Sequence, residues 1–468
     1  MDNQLLTALR SELGSIVRTD AEIRRERRHD YWAVSHLRAW RDQPMGEAAA
    51  VVQVTEVAQV QQLLRFAAAN RINIMPFGLG SGVCGGVLPS DDVVLLDLST
   101  LCRTREIDDH NYLASFDAGK NGLEAEEEVA ARGLTIGHWP QSIAVSSVGG
   151  WVSTRASGQF STAYGNIEDI IYSIEAVLPN GEVVVLGKAP RAAAGPDLRH
   201  VLMGAEGTMG VITGVPFSLR AAPPTRKYSA FYAPTMEEGI EAQRRIVAAD
   251  WRPPVMRQYD HPEVARNFGE HARDEHAVLM MVHEGPTGRV DAEIADITSI
   301  AQEAGLTVAA SEISEIWMGK RNHVPTWSTF FERGLVVDTI EVSAKWSQID
   351  DVYRSAIAAL QAVDGVLVAS AHSSHVYRSG INLYFTFVAR ADVDQMERVY
   401  FECWKQVMEA TATHGGGVAH HHGSGRLRKN FIEHDLGAQG IDLLRTLKAA
   451  VDPQGIMNPG NLLPDQSR

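Results

Sequence analysis

Cysteine is nearly absent. Only Cys84, Cys102 and Cys403 occur in 468 residues, an odd set without the paired spacing of a zinc site or a disulfide framework. A disulfide-stapled scaffold is excluded, and a reducing compartment is expected. Cys84 stands in a glycine-rich loop and reads as a small packing residue, not a reactive thiol. Basic excess is also lacking. Lys and Arg number 43 against 58 Asp and Glu, a formal charge of -15, and no long basic run offers the footprint that nucleic acid or an anionic membrane needs. Nowhere do about 18 apolar residues run together without charge, so no integral membrane segment is expected. The opening residues lack the apolar core of a secretory leader. These absences predict a cytoplasmic protein acting on a small molecule, and they leave a homodimer open.

What is present is glycine, concentrated in three places. The helical spacing of Val57, Val60, Leu63, Leu64 and Phe66 gives way to strand alternation at Ile72–Ile74, and PFGLGSGVCGG follows from Pro76 to Gly86. Gly80, Gly82 and Gly85 spell G-x-G-x-x-G, but a strand (Val93 to Leu98) comes next where a dinucleotide fold would open a helix, so the Rossmann reading fails on context. Closely spaced glycines let backbone N–H groups converge on an anion, as a diphosphate demands. A tight loop needing positive φ is the bland alternative.

The second place, PQSIAVSSVGGWVSTRASG (Pro140 to Gly158), is too small-sided for a core helix and too long for a turn. It reads as backbone lying flat against a ligand. After it, two strands are expected around a hairpin at Asn180-Gly181. In the third, Gly204, Gly207 and Gly210 precede a β-rich run. Beyond Pro223 glycine thins into alternating helix and strand patterns, a second domain, until HGGGVAHHHGSGRLRKN, a helix from Ile441 to Val451, and the ending DPQGIMNPGNLLP.

These segments, in this order and with YGNIEDI between them, resemble the FAD-binding domain of the vanillyl-alcohol oxidase superfamily. VGGWVSTRASG, EGTMGVI and HHHGSGRLRK are similar to its alkylglycerone-phosphate synthase family at near-identity. The resemblance implies an α+β fold: a helical segment over 1–45, a two-subdomain FAD-binding domain over 46–222, an α+β cap over 223–414, and a segment over 415–468 that returns to the flavin. It also implies that the diphosphate is held by Pro76, Phe77, Gly78, Leu79, Gly80, Ser81 and Gly82. Gln141, Ser142, Ser146, Ser147, Gly150, Thr154, Arg155, Ala156 and Ser157 would line the rest of the cofactor with Glu206, Gly207, Thr208, Gly210, Val211 and Ile212.

The catalytic candidates are weighed separately. His420, His421 and His422 cannot share one strand face, because neighbours point opposite ways, so at most two converge. No acidic or cysteine ligand stands at a useful spacing, and no metal is expected. Hydrogen-bonding or cationic groups beside a flavin stabilise its reduced charge and exchange protons near neutrality. Tyr384 in NLYFTF, Arg257 in VMRQYD and His138 in GHWP match positions tied to activity in the synthase family. The chain departs from that family where a substrate-phosphate arginine is expected. It reads TFFERGL, with Phe330 and Phe331 about there and Arg333 nearby, so either Arg333 serves or the substrate has no phosphate. Gln141 and Ala144-Val145 also replace that family's acidic and aromatic residues.

The leading expectation is an FAD-dependent oxidase or dehydrogenase of an alcohol or 2-hydroxy acid, hydrophobic or aromatic because of Trp327, Phe330 and Phe331. The alternative is a flavin-dependent alkyl transferase of ether-lipid type. Some members of the superfamily tether flavin to a histidine in the first loop, but Pro76 to Gly86 contains none, so the FAD is expected to be non-covalent. Acid precipitation is expected to release all of it, and flavin retained on the pellet would show a link. Gly80→Val is expected to abolish flavin content.

Overall fold

A computed structural model describes residues 1–465. Near the N-terminus, Ala50–Gln53, Val93–Asp97 and Asn73–Phe77 pair in parallel, with Val17–Arg18 added antiparallel at one edge. The crossover between Ala50–Gln53 and Asn73–Phe77 is the helix Val57–Asn70. A reciprocal cap between Glu56 and Gln59 starts it, and it buries Val60, Leu63, Leu64 and Ala67 on one face. A five-stranded antiparallel sheet follows in the order Thr104–Asp108, Leu113–Asp117, Val211–Ser218, Ile174–Val177, Val183–Leu186. The last two form the hairpin anticipated at Asn180-Gly181.

The stretch from Pro140 to Gly158 corrects the sequence reading. It contains a short 3-10 turn, Ile143–Val145, and a buried helix, Val148–Thr154, whose first turn is capped by Ser147 Oγ accepting from the Gly150 N–H. Small residues serve the packing of that helix: a Cβ on Gly149 would lie 2.6 Å from Ala118 Cβ. Trp151, buried on the other side, supplies the bulk.

The chain then builds a seven-stranded antiparallel sheet in the order Thr307–Ala309, Thr225–Ala233, Ala277–Gly285, Val255–Tyr259, Val366–Ser373, Gly380–Arg390, Leu335–Lys345. The helices Met236–Ala248, Thr287–Glu303, Ile349–Gln361 and Met396–Thr413 bury apolar stripes in the core on one side of it. The opposite face looks towards the N-terminal half through Phe160, Trp139 and Tyr164, which pack with Val255, Tyr259, Val278 and Trp317.

Two ties bring the C-terminal segment back. Ile74 N–H donates to Ile456 O (2.8 Å) and Asn458 N–H to Ile74 O (2.7 Å), so the tail pairs with the open edge of Asn73–Phe77. Deeper in, Arg428 and Glu341 form an ion pair in which both side chains are fully buried. Burial would raise the Glu341 carboxyl, but Arg428 and His422 outweigh it and hold that carboxyl well below the usual range. Glu341 also accepts the His422 N–H (3.0 Å), and the Arg428 guanidinium lies 5.0 Å from the Trp404 ring centroid.

Removing one member of such a pair strands a buried charge, at a cost of about 3–5 kcal/mol. Arg428→Met is therefore expected to lower unfolding stability by that amount in urea titrations, and the double variant Glu341→Leu/Arg428→Met to recover much of it. A loss in the double variant equal to the sum of the two single losses would show that the pair is not coupled. Because the folded carboxyl is depressed, its contribution is present at neutral pH and is lost only as the pH falls through and below the ordinary carboxylate range.

Candidate active site

Register of the seven-stranded sheet assembles one wall of the site. Tyr259 sits opposite His372, His372 opposite Tyr384, and Tyr384 opposite Glu341. Residues directly opposite share a face, so four strands far apart in sequence deliver one row of polar side chains. Arg257, two residues before Tyr259, joins it. Its Nε donates to Tyr259 Oη (2.7 Å), and its guanidinium lies 5.6 Å from the Trp317 ring and 5.9 Å from that of Tyr384.

Tyr384 is the centre of this row. Its hydroxyl is 2.7 Å from His421 Nε2 and 3.5 Å from His375 Nε2, and His372 stacks on its ring at 4.6 Å. His375 Nδ1 is held by Ser161 Oγ (2.6 Å), and His372 Nδ1 by Glu263 (2.8 Å). Burial pushes the Tyr384 hydroxyl up, with Arg257 opposing. Burial likewise drives His375 and His421 well below the ordinary imidazole value and His420 to about 4. These rings stay neutral at physiological pH.

The three consecutive histidines separate. They lie in a turn, not a strand. His420 and His421 enter the tyrosine's hydrogen-bond chain, while His422 Nδ1 turns away to Glu341 (2.9 Å). One nitrogen each from His375, His420 and His421 falls within 4.8 Å of the others. However, His420 Nδ1 and His421 Nδ1 stand 2.7 Å apart, whereas two ligands of a tetrahedral zinc at about 2.1 Å would stand roughly 3.4 Å apart. A shared proton fits that contact.

Other candidates move out of the site. His138 is fully buried beside Trp151 (4.7 Å), with neither ring nitrogen hydrogen-bonded among the described residues, and burial lowers it to about 3. It lines neither of the two cavities described below. Phe331 packs against Trp40 in the core, and Trp327 and Phe330 belong to the same cluster, so none of the three forms a substrate wall. Arg333 is exposed just before the strand Leu335–Lys345. It lies roughly 20 Å or more along that strand from Glu341. The sequence reading missed His372, His375, Glu263, Glu341 and Tyr377. The HSSHVY stretch was the available signal, but only strand register shows which of its residues face Tyr384.

Part of the cofactor set expected from the sequence lines two neighbouring cavities. No backbone N–H from Gly78 to Gly82 donates to a group among the described residues, which leaves a run of donors for an anion. Gly80 (φ +72°) and Gly207 (φ +74°) hold conformations that L side chains resist, and a Cβ on either would come within 2.9 Å of the Phe77 ring or the Pro76 ring. Pro76, Gly78, Ser147, Gly150, Gly210, Val211 and Ile212 line a narrow cavity of about 70 Å³. Thr154, Arg155, Ser157 and Glu206 open with Tyr377, His420 and His421 onto a cleft of about 850 Å³, within the roughly 300–1,000 Å³ range of cofactor sites. The Glu206 carboxylate accepts the Ser424 N–H (2.6 Å) and a Gly425 N–H (2.9 Å), bringing the C-terminal segment to the cleft.

Several proposed cofactor contacts are otherwise engaged. Gln141 donates to His323 O (2.6 Å), Ser146 accepts from Trp151 (2.8 Å), Thr208 donates to Ala205 O (2.7 Å), and Arg155 pairs with Glu168 (2.8 Å). Ser142 precedes the Ile143–Val145 turn and Ala156 packs partly buried on the core.

Comparison with known proteins agrees with this architecture. Residues 48–187 match the family model "FAD binding domain" and residues 222–462 match "FAD linked oxidases, C-terminal domain". An uncharacterised FAD-linked oxidoreductase of Escherichia coli K12, YgcU, is 33% identical over 89% of each chain. The alkyldihydroxyacetonephosphate synthase of Dictyostelium discoideum is 27% identical over 87% of this chain and 72% of its own. The glycolate oxidase subunit GlcD of Bacillus subtilis is 25% identical over 90% of each. A solved alkyldihydroxyacetonephosphate synthase superposes with a TM-score of 0.83 at 23% identity, over 98% of this chain and 86% of that one. No helix among the described residues is long and apolar enough to cross a membrane. The two family models and the relative 33% identical over 89% of the chain lead to one conclusion: the chain belongs to the FAD-linked oxidase family.

Proposed function

We propose that the protein oxidises a 2-hydroxy acid or a related alcohol bearing an apolar or aromatic group. The observation that carries this reading is the Tyr384 hydroxyl, buried beneath the open edge of Arg257 and hydrogen-bonded to a neutral His421. Arg257 spends Nε on Tyr259, and its two outer nitrogens have no partner among the described residues. They offer the bidentate geometry that a carboxylate matches. Trp317 and Tyr259 beside Arg257 supply an aromatic wall, the role that Trp327 and Phe331 do not fill.

A substrate held by its carboxylate on Arg257 presents its hydroxyl to Tyr384. Tyr384 takes the hydroxyl proton as it passes its own to His421, so that no charged phenolate forms in a buried site. His372, locked by Glu263, and His375, locked by Ser161, fix the ring's position. FAD, when bound, supplies the hydride acceptor. The similarity to a glycolate oxidase subunit supports a hydroxy acid. The similarity to alkyldihydroxyacetonephosphate synthase keeps alkyl transfer as the second reading. The exposed position of Arg333 weighs against it, because a buried phosphate needs charge-assisted donors.

Anaerobic stopped-flow with a panel of D- and L-lactate, mandelate, phenyllactate and benzyl alcohol is expected to find at least one reductant of the bound flavin. Tyr384→Phe is expected to slow that reduction about 10²-fold while keeping the flavin. Arg257→Met is expected to raise the hydroxy acid's half-saturation concentration, and Arg333→Ala to leave the rate unchanged. If the panel fails and an acyl-dihydroxyacetone phosphate perturbs the flavin spectrum, the transferase reading replaces this one.

A further inference from the structure

Tyr384 does not end its hydrogen-bond chain at His421. From the Tyr384 hydroxyl the contacts run to His421 Nε2 (2.7 Å), from His421 Nδ1 to His420 Nδ1 (2.7 Å), and from His420 Nε2 to the Tyr377 hydroxyl (2.7 Å). Tyr377 meets Asn166 Nδ2 (3.4 Å) and the Ser157 hydroxyl, which itself donates to Asn166 Oδ1 (2.6 Å). Tyr377, Ser157, Asn166, His420 and His421 line the 850 Å³ cleft, and Tyr384 does not. The line therefore joins a half-buried phenol on the sheet's face to a second phenol on the cleft wall, through two imidazoles that run along that wall.

Proton bookkeeping makes the line continuous. A neutral imidazole carries one N–H and one bare nitrogen. Two Nδ1 atoms 2.7 Å apart need one proton between them, so one ring is the Nδ1–H tautomer and the other the Nε2–H tautomer. Choosing which ring is which fixes every other proton: all bonds point from Tyr384 to Tyr377, or all point back. Burial opposes a second proton on either ring; His422 adds to it for both, His375 for His421, and Arg428 and Arg155 for His420, with Glu341 the one nearby acid in favour.

We propose that Tyr384, His421, His420 and Tyr377 form a proton wire that carries the substrate's hydroxyl proton out to the cleft. The inference rests on the oxidoreductase reading above. In one turnover the substrate O–H breaks and its proton joins the Tyr384 oxygen, while the Tyr384 proton moves to His421 Nε2. The His421 Nδ1 proton moves to His420 Nδ1, the His420 Nε2 proton to the Tyr377 oxygen, and the Tyr377 proton to water in the cleft. The substrate O–H electron pair becomes the second bond of the carbonyl as the carbon-bound hydrogen leaves with its pair to the oxidised cofactor. Each of the four side chains ends with the number of protons it began with, the cleft water having gained one proton and the oxidised cofactor one hydride, and rotation of the two hydroxyls and exchange of tautomers resets the line.

The test uses the holoenzyme labelled with nitrogen-15 histidine. At neutral pH, His420 and His421 are expected to be neutral and of opposite tautomers. Tyr377→Phe is expected to shift the His421 resonances although Tyr377 touches only His420. In the stopped-flow assay, with the hydroxy acid of the panel that reduces the flavin, Tyr377→Phe is expected to slow reduction about tenfold, to change the solvent isotope effect, and to be rescued by added imidazole. Like tautomers, an imidazolium at neutral pH, unmoved His421 resonances, or a wild-type rate in Tyr377→Phe would each overturn the wire. A wild-type rate in Tyr384→Phe would instead overturn the base assignment on which it rests.

Discussion

A fully buried arginine–glutamate pair fixes the geometry of the whole active centre. Glu341 belongs to the outermost strand of the seven-stranded sheet and Arg428 to the C-terminal segment, 87 residues later. Neither charge is tolerable in that interior alone, so the two halves must meet in one arrangement. The same carboxylate takes the N–H of His422 and thereby orients the turn that presents His420 and His421. Loosening the pair would remove a charge clamp and displace two imidazoles at once.

On the other side of that turn, Glu206 performs the matching task. It sits in the left-handed region (φ +48°) between glycines, and its carboxylate gathers the N–H groups of Ser424 and Gly425. One acid from the cofactor half and one from the sheet half thus grip opposite ends of a five-residue turn. The polar wall and the cofactor cradle are held in register by hydrogen bonds to a segment that belongs to neither.

The sequence makes the cradle legible and leaves most of the polar wall hidden. Glycines at 78, 80, 82, 204, 207 and 210 are local signals, since each position answers to backbone geometry within a few residues. The wall is non-local. Arg257, His372, Tyr384 and Glu341 share a face only because register places them there, and a one-residue slip would send each to the opposite side. Tyr384 and Arg257 were accessible through family resemblance, whereas His372, His375 and Tyr377 had no resemblance to carry them. The Phe330-Phe331 pair misled for a related reason: a polar-to-apolar change suggests a pocket, but here the aromatic side chains face a helix. The stretch around Trp151 shows the converse, since a run rich in glycine and serine became a helix because its partner surface left no room for larger side chains.

The tail's pairing with Asn73–Phe77 sets an order on how the protein is made. That strand is the edge of its sheet, and the backbone groups of Ile74 find their partners in Ile456 and Asn458. A ribosome releases residue 74 long before residue 456 exists, so throughout most of translation the nascent nucleotide half carries an unpaired edge. Its completion waits for Ile456 and Asn458 to emerge. The edge of the nucleotide half is thus closed by backbone from far along the chain, and a break anywhere between the two segments would leave that edge open.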